Sequence, residues 1–314
     1  DDISVRILYQ EFEKVVYVVN LANSGDSNAL NKLGKMYEKG KVFGKDLMKA
    51  LECYQRATLI NIEGKVNSAA FANYGSLLQK ISEGKNEDDM RKGADFLRQS
   101  AEQGDLKGMM LYGIALKDGK GVDVDLRKAE EYLKKAADFR LSFAQLNYAL
   151  LLVDNYPDSD EKIAEALHYI KMAIDQGSSE AYYHYGLLLL SGNRILQKNV
   201  ESAMENLKIA ADLGNKKAKA KYDECLSELN KQANDDSLLN PDKTEVSNIE
   251  IDAEEKQSLL TTKTPNNESP KLNDDKLKSQ VTENEDATLN LQIKESEILD
   301  LASSSSSNKL VNES

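Results

Sequence analysis

The chain has 314 residues, two Cys, four Pro, no Trp and a formal net charge of −12. The charge is uneven: Lys231 to Ser314 holds 9 Lys against 18 Asp and Glu, a net of −9, while the first 230 residues carry −3. A nearly neutral body with an acidic tail excludes nucleic acid as the main partner, because phosphate binding needs clustered cations. No run approaches 18 apolar residues, so no helical membrane span is expected.

Along the chain, residues 1–25 come first. Ile3 to Leu21 is apolar on one face but carries Glu11, Glu13 and Lys14 in its middle. That pattern predicts an amphipathic helix rather than a signal peptide. Tyr17, Val18, Leu21 and Ala22 are its expected packing positions, and it reads as an N-terminal cap or a half repeat. The chain starts at Asp1 rather than Met, which leaves room for an upstream segment.

Residues 26–214 repeat. A small residue recurs with a second one five positions later: Ala29/Gly34, Ala70/Gly75, Gly108/Gly113, Ala144/Ala149 and Ala181/Gly186. Successive first members lie 41, 38, 36 and 37 residues apart. A bulky residue precedes each second member: Leu33, Tyr74, Tyr112, Tyr148 and Tyr185. A further small column, Ala50, Gly93, Ala129, Ala166 and Ala203, follows 16 to 18 residues later. Four positions beyond it stand Tyr54, Leu97, Leu133, Ile170 and Leu207, and three beyond those Ala57, Ser100, Ala136, Ala173 and Ala210. Spacings of three and four place each set on one helix face, so each unit is two antiparallel helices in close approach.

Turn chemistry agrees. Gly104, Gly177 and Gly214 stand where a second helix ends and a left-handed residue is favoured. Asp46 and Asp125 stand where a side chain can accept from the free N–H groups of a second helix. Unit two departs, with Gly93 in the small column and a long loop expected from Lys80 to Asp89. Unit four departs with Ala149 and a loop broken at Pro157.

Residues 215–232 read as a closing helix with Ala218, Tyr222, Cys225, Leu226 and Leu229 on its apolar face. Lys216, Lys217, Lys219 and Lys221 form a solvated face. Residues 233–314 have no aromatic residue and no Gly, and end near a serine run at Ser303 to Ser307. Such a stretch cannot bury enough apolar area to offset ordering entropy, so a disordered tail is expected. Thr264-Pro265 and Ser269-Pro270 match a Pro-directed phosphorylation pattern that is common by chance. Leu289, Leu291, Ile293, Ile298, Leu299 and Leu301 are its one apolar concentration, read as either a short docking motif or ordinary disordered sequence.

No residue set suggests catalysis or a cofactor. His168 and His184 lack a nucleophile or metal-ligand partner at useful spacing, so catalytic, cofactor and metal sites are all expected to be absent. Gly119-Lys120-Gly121 is an inter-helix turn, not a phosphate loop. Cys53 and Cys225 are far apart, form no disulfide framework and read as buried apolar residues in a reducing compartment. The expected location is the cytoplasm; an adaptor role at the endoplasmic reticulum would need a signal peptide the sequence does not show.

The stretch from Gly113 through Gly119, Gly121, Val122 and Asp125 to Lys128-Ala129 resembles the Sel-one-like repeat, a longer relative of the tetratricopeptide repeat. Gly34, Tyr37, Gly40, Asp46, Lys49 and Ala50 resemble it in the same register, and the likeness runs from about Ala29 to Gly214. The resemblance implies an all-α fold, a right-handed α–α superhelix of helix-turn-helix repeats. It also implies a protein-interaction scaffold, with a protein or peptide partner and a monomeric chain. The alternative is the regulatory repeat region of a larger signalling enzyme, such as one attached to a kinase domain. Bacterial relatives discussed as hydrolases have paired cysteines in each unit, which this chain lacks.

In such arrays the first helices line the concave face. By register the face-lining positions are Asn31, Lys35, Glu38, Ala72, Ser76 and Gln79 in units one and two. They continue as Met110, Ile114 and Lys117 in unit three, then Leu146, Leu150, Val153, Tyr183, Leu187 and Leu190. The apolar ones among them (Met110, Ile114, Leu146, Leu150, Val153, Tyr183, Leu187 and Leu190) are the candidate partner-binding groove. The competing reading makes the same residues plain core.

Overall fold

The computed structural model describes the backbone of residues 2–62, 65–193 and 195–239, and the side chains of 11–60, 66–193 and 195–231. The elements in order are α1 (Asp2–Asn23), α2 (Ser27–Lys39), α3 (Leu47–Leu59), β1 (Asn61–Ile62), β2 (Lys65–Val66) and α4 (Ser68–Ser82). Then come α5 (Glu87–Glu102), α6 (Leu106–Asp118), α7 (Leu126–Asp138), α8 (Ser142–Asn155), α9 (Asp160–Ile174), α10 (Ser179–Ser191), α11 (Val200–Asp212) and α12 (Lys216–Leu239). The expected tail lies outside the described residues, as do its phosphorylation and docking readings.

Short polar side chains start these helices. Asp26, Asp46, Asn67, Asn86, Asp105, Asp125, Ser159, Ser178 and Asn199 each accept from a backbone N–H of the helix that follows. Each such bond satisfies a donor that has no partner inside the helix. Asn215 does the same for α12, so from α2 to α12 only α8 opens without such a cap: its N-cap is Leu141, and the preceding Arg140 has φ 62°. The equivalent residues elsewhere are Gly25, Gly104, Gly177 and Gly214, with φ between 75° and 88°. Gly121 is the most constrained turn residue, because at φ 69° a Cβ would also land on the Met90 carbonyl of α5.

Each first helix packs on the next: α2 on α3, α4 on α5, α6 on α7, α8 on α9 and α10 on α11. The small columns lie at these contacts. A Cβ on Gly75 would stand 2.6 Å from the Gly93 carbonyl, and one on Gly113 would stand 2.8 Å from Leu133 Cγ. Tyr54, Leu97, Leu133, Ile170 and Leu207 fill the space between and are at most 1% exposed. Ser100 is the one hydroxyl in the last small column; it donates to the Ser68 carbonyl at 2.7 Å, which allows its full burial. In units two to four an aromatic of the first helix meets one of the second edge-on: Tyr74–Phe96, Tyr112–Tyr132 and Tyr148–Tyr169.

First helices also touch each other, α2 with α4, α4 with α6 and α6 with α8, while successive second helices barely approach. The first helices therefore form the inner layer of a solenoid. Long side chains bridge the wider outer spacing. Lys134 Nζ of α7 lies 2.6 Å from Glu165 Oε1 of α9, Lys162 Nζ lies 2.7 Å from Glu130 Oε1, and the Tyr169 hydroxyl donates to Asp138 at 2.5 Å. Burial favours a neutral Glu165, but hydrogen bonds from Lys134 and Tyr148 outweigh it and hold the carboxyl below its usual range.

Three expectations need correction. The unit-two loop is short: α4 runs to Ser82 and α5 begins at Glu87, so most of the expected loop is helix. The Asn86 cap and the acidic Glu87, Asp88 and Asp89 favour that early start. The extra residues sit earlier, in the α3–α4 connection, where Asn61–Ile62 pairs antiparallel with Lys65–Val66. That two-residue ladder sits in a connection and leaves the all-α architecture intact. In α1 the buried stripe is Val15, Val18, Val19 and Ala22, and Tyr17 is 65% exposed because it falls off that three-and-four spacing. In α12, Leu226 and Leu229 remain exposed, so the apolar face of that helix is narrower than expected.

Candidate functional site

The inner face has a polar and an apolar half, both set by residues on consecutive first helices. On the apolar side Met110 and Leu146 are buried, at 8% and 3% exposure. Ile114, Leu150 and Val153 are half-buried and pack against the same core cluster. Tyr183, Leu187 and Leu190 of α10 are half-buried. The fold thus joins the α6 and α8 candidates in one cluster, with two of them contributing to the core and the others reaching its surface.

On the polar side a line of hydrogen bonds crosses three helices. Lys107 Nζ of α6 donates to Asn73 Oδ1 of α4 at 2.6 Å, and Asn73 Nδ2 donates to Asn31 Oδ1 of α2 at 2.7 Å. Both amides are buried, so the line is fixed in place. Glu38 accepts the Tyr54 hydroxyl at 2.7 Å, and burial together with that carboxylate pushes the phenol far above its usual range. Gln79 Nε2 donates to the Lys120 carbonyl at 2.9 Å. Sequence reasoning placed Asn31 and missed Asn73 and Lys107, which fall outside the three face columns. The available signal was a lone Asn within the otherwise small and apolar run Ala69 to Leu78.

His184 lies on α10 two residues before Gly186, and burial holds its imidazole below the usual value of 6.5. His168 is exposed. Cys53 and Cys225 are buried free thiols, and burial raises Cys53 to about 11, leaving it unreactive as a thiolate. Among the described residues no group of His, Cys, Asp and Glu is placed to hold a metal ion.

The Sel1 repeat model matches residues 27–59, 81–105, 106–138, 142–178 and 179–215, more than half of the chain. The chain belongs to the Sel1 repeat family. The match leaves out all but the last two residues of α4, which nevertheless pairs with α5 as every other first helix pairs with its second. Among solved structures the chain is similar to a Sel1 repeat protein from Oxalobacter formigenes. They share 24% identity at a TM-score of 0.50, over 65% of this chain and 86% of that one. It is also similar to a putative Sel1 repeat protein from Klebsiella pneumoniae, with 18% identity and a TM-score of 0.47 over 65% and 95% of the two chains. The third is c5321, a protective antigen of uropathogenic Escherichia coli with the same type of repeat, at 19% identity and 0.40 over 67% and 51%. The first of these likenesses is one of fold. No curated protein sequence matches the chain. No helix among the described residues is long and apolar enough to cross a membrane.

Proposed function

We propose that this Sel1 repeat protein is a non-catalytic scaffold that holds a segment of a partner protein against its inner face. The family generally serves as protein-interaction scaffolds, and the supporting observation here is the half-buried apolar strip. Ile114, Leu150 and Val153 continue the core outward, and Tyr183, Leu187 and Leu190 stand at the same register positions in α10. Apolar groups at the surface of a concave layer offer a partner area to bury. The Asn31–Asn73–Lys107 line, with both amides buried and the lysine exposed, supplies polar groups that orient it.

A photo-reactive side chain at Leu150 should form adducts with foreign proteins in cell extract. The same group at Arg127, exposed on the outer helix α7, should form few. Equal labelling at the two positions would refute an inner-face site. Loss of helical circular dichroism in the Leu150 variant would instead show that this position is core.

A further inference from the structure

The charges of the outer helix α7 complement their own reversal. Its outward stripe is Arg127, Glu131, Lys134 and Asp138, all exposed and opposite the buried Ala129, Leu133 and Ala136. Turned end for end about the helix midpoint, Arg127 falls against Asp138 and Glu131 against Lys134. The flanking Glu130 falls against Lys135, so every pair is opposite in sign. The two ends match as well. At the start of α7 lies an open cavity of about 700 Å³, walled by Tyr112, Leu116, Val122, Val124 and Leu126, with the exposed Asp123 on its rim. Unit one shows what fills this place. Counted from the turn glycines Gly40 and Gly119, Phe43 corresponds to Val122 and Tyr37 to Leu116. The Phe43 ring is 2% exposed and stacks on Tyr37 at 4.8 Å. Unit three has smaller side chains at both positions, and Val124 and Leu126 stay 59% and 38% exposed. Beyond the other end of α7 stands Phe139, 71% exposed, where units two and four have Gln103 and Gln176. Arg140 follows it, and among the described residues neither Arg140 nor Asp123 forms an ion pair.

We propose that α7 docks a second copy of this chain, lying antiparallel to its own counterpart across a two-fold axis at the helix midpoint. Socket and plug stand about 20 Å apart along one helix. A two-fold that brings one copy's Phe139 to the other's cavity therefore brings the second Phe139 to the first cavity as well. Each Phe139 takes the place that Phe43 fills within unit one, and Arg140 beside it reaches Asp123 on the rim. Arg127 already meets Glu131 at 3.7 Å within the helix, and Lys134 meets Glu165. The contacts between copies consequently set register and direction more than affinity. One helix face and two aromatic plugs fall below the roughly 1,200 Å² of a stable interface, so the pair is weak and forms as concentration rises. The contact uses the outer layer and leaves the inner face free, so it joins two scaffolds and stands apart from the partner site proposed above.

Sedimentation velocity of the full chain over a concentration series up to about 1 mM tests it. The sedimentation coefficient should rise with concentration toward that of a dimer. Phe139→Ser should raise the dissociation constant by about tenfold or more, because two plugs are lost at once. Leu59→Ser, which removes an exposed apolar group at the end of α3, should leave it unchanged. Direction is read by mixing full chains carrying Arg127→Cys with full chains carrying Asp138→Cys and adding a short bismaleimide; the native Cys53 and Cys225 are buried. Mixed dimers should predominate, since the two-fold sets these positions together and keeps like positions about 16 Å apart along the helix. A sedimentation coefficient that stays constant would overturn the proposal, as would Phe139→Ser associating like the wild type. Cross-linked dimers of one variant with itself would overturn the antiparallel two-fold. Foreign protein captured by a photo-reactive group at Phe139, without self-association, would assign the surface to another partner and likewise sink the proposal.

Discussion

Replacing Gly113 with Leu tests the close approach on which every unit is built. A Cβ at this position stands 2.8 Å from Leu133 Cγ, 3.2 Å from its Cδ2 and 3.4 Å from the Ala129 carbonyl. Leu133 is fully buried and cannot swing into solvent. Overpacking of this kind costs about 1–3 kcal/mol, and the better helix propensity of Leu over Gly returns about 0.8 kcal/mol. The net loss is about 0.2–2.2 kcal/mol, or up to about 9 °C in melting temperature for an array of this size. Thermal denaturation followed by circular dichroism reads it directly. Adding Leu133→Ala removes all but one methyl of the added side-chain volume, so the double variant should be more stable than the two single losses predict, by about 0.5–3 kcal/mol of coupling. A Gly113→Leu protein melting at or above the wild-type temperature, or strictly additive losses, would refute the argument. Gly44 is the control: it has open space around it, and Gly44→Ala should be nearly silent.

Two further outcomes are expected. Arg140 is the one described non-Gly residue at positive φ, and relief of about 1–2 kcal/mol of left-handed strain, less about 0.5–1 kcal/mol for glycine's freedom, should raise the stability of Arg140→Gly by up to about 1.5 kcal/mol; a lower melting temperature would show that no strain is held there. The fold depresses the imidazole pKa of His184 through burial, with Glu180, Lys217, Asp154 and Lys117 as its charged neighbours. Acidification through about 6.5 therefore protonates the unfolded chain first and lowers stability until the native imidazole also titrates. His184→Gln should flatten the stability profile between about pH 7 and pH 5, and a profile identical to wild type would refute the assignment.

The sequence by itself determined the repeat. The small columns, the Tyr54-to-Leu207 column and the Asp caps are legible because helix periodicity and helix-end hydrogen bonding are local rules. Each column recurs five times, so a single irregular unit could not hide it. Tertiary structure decided what local rules cannot reach. Whether Asn73 meets Asn31 and Lys107 depends on how α2, α4 and α6 stack, since the three residues are 42 and 34 positions apart. The burial of Met110 and Leu146, against the half-exposure of Leu150 and Val153, follows from where the neighbouring first helix lies rather than from residue type. Lys134 and Glu165 look like ordinary surface charges in sequence, and they pair because the second helices stand far enough apart for long side chains to bridge the gap. The α4–α5 turn was misread for a related reason: spacing counts residues, but it does not say whether the extra ones extend a helix or a loop.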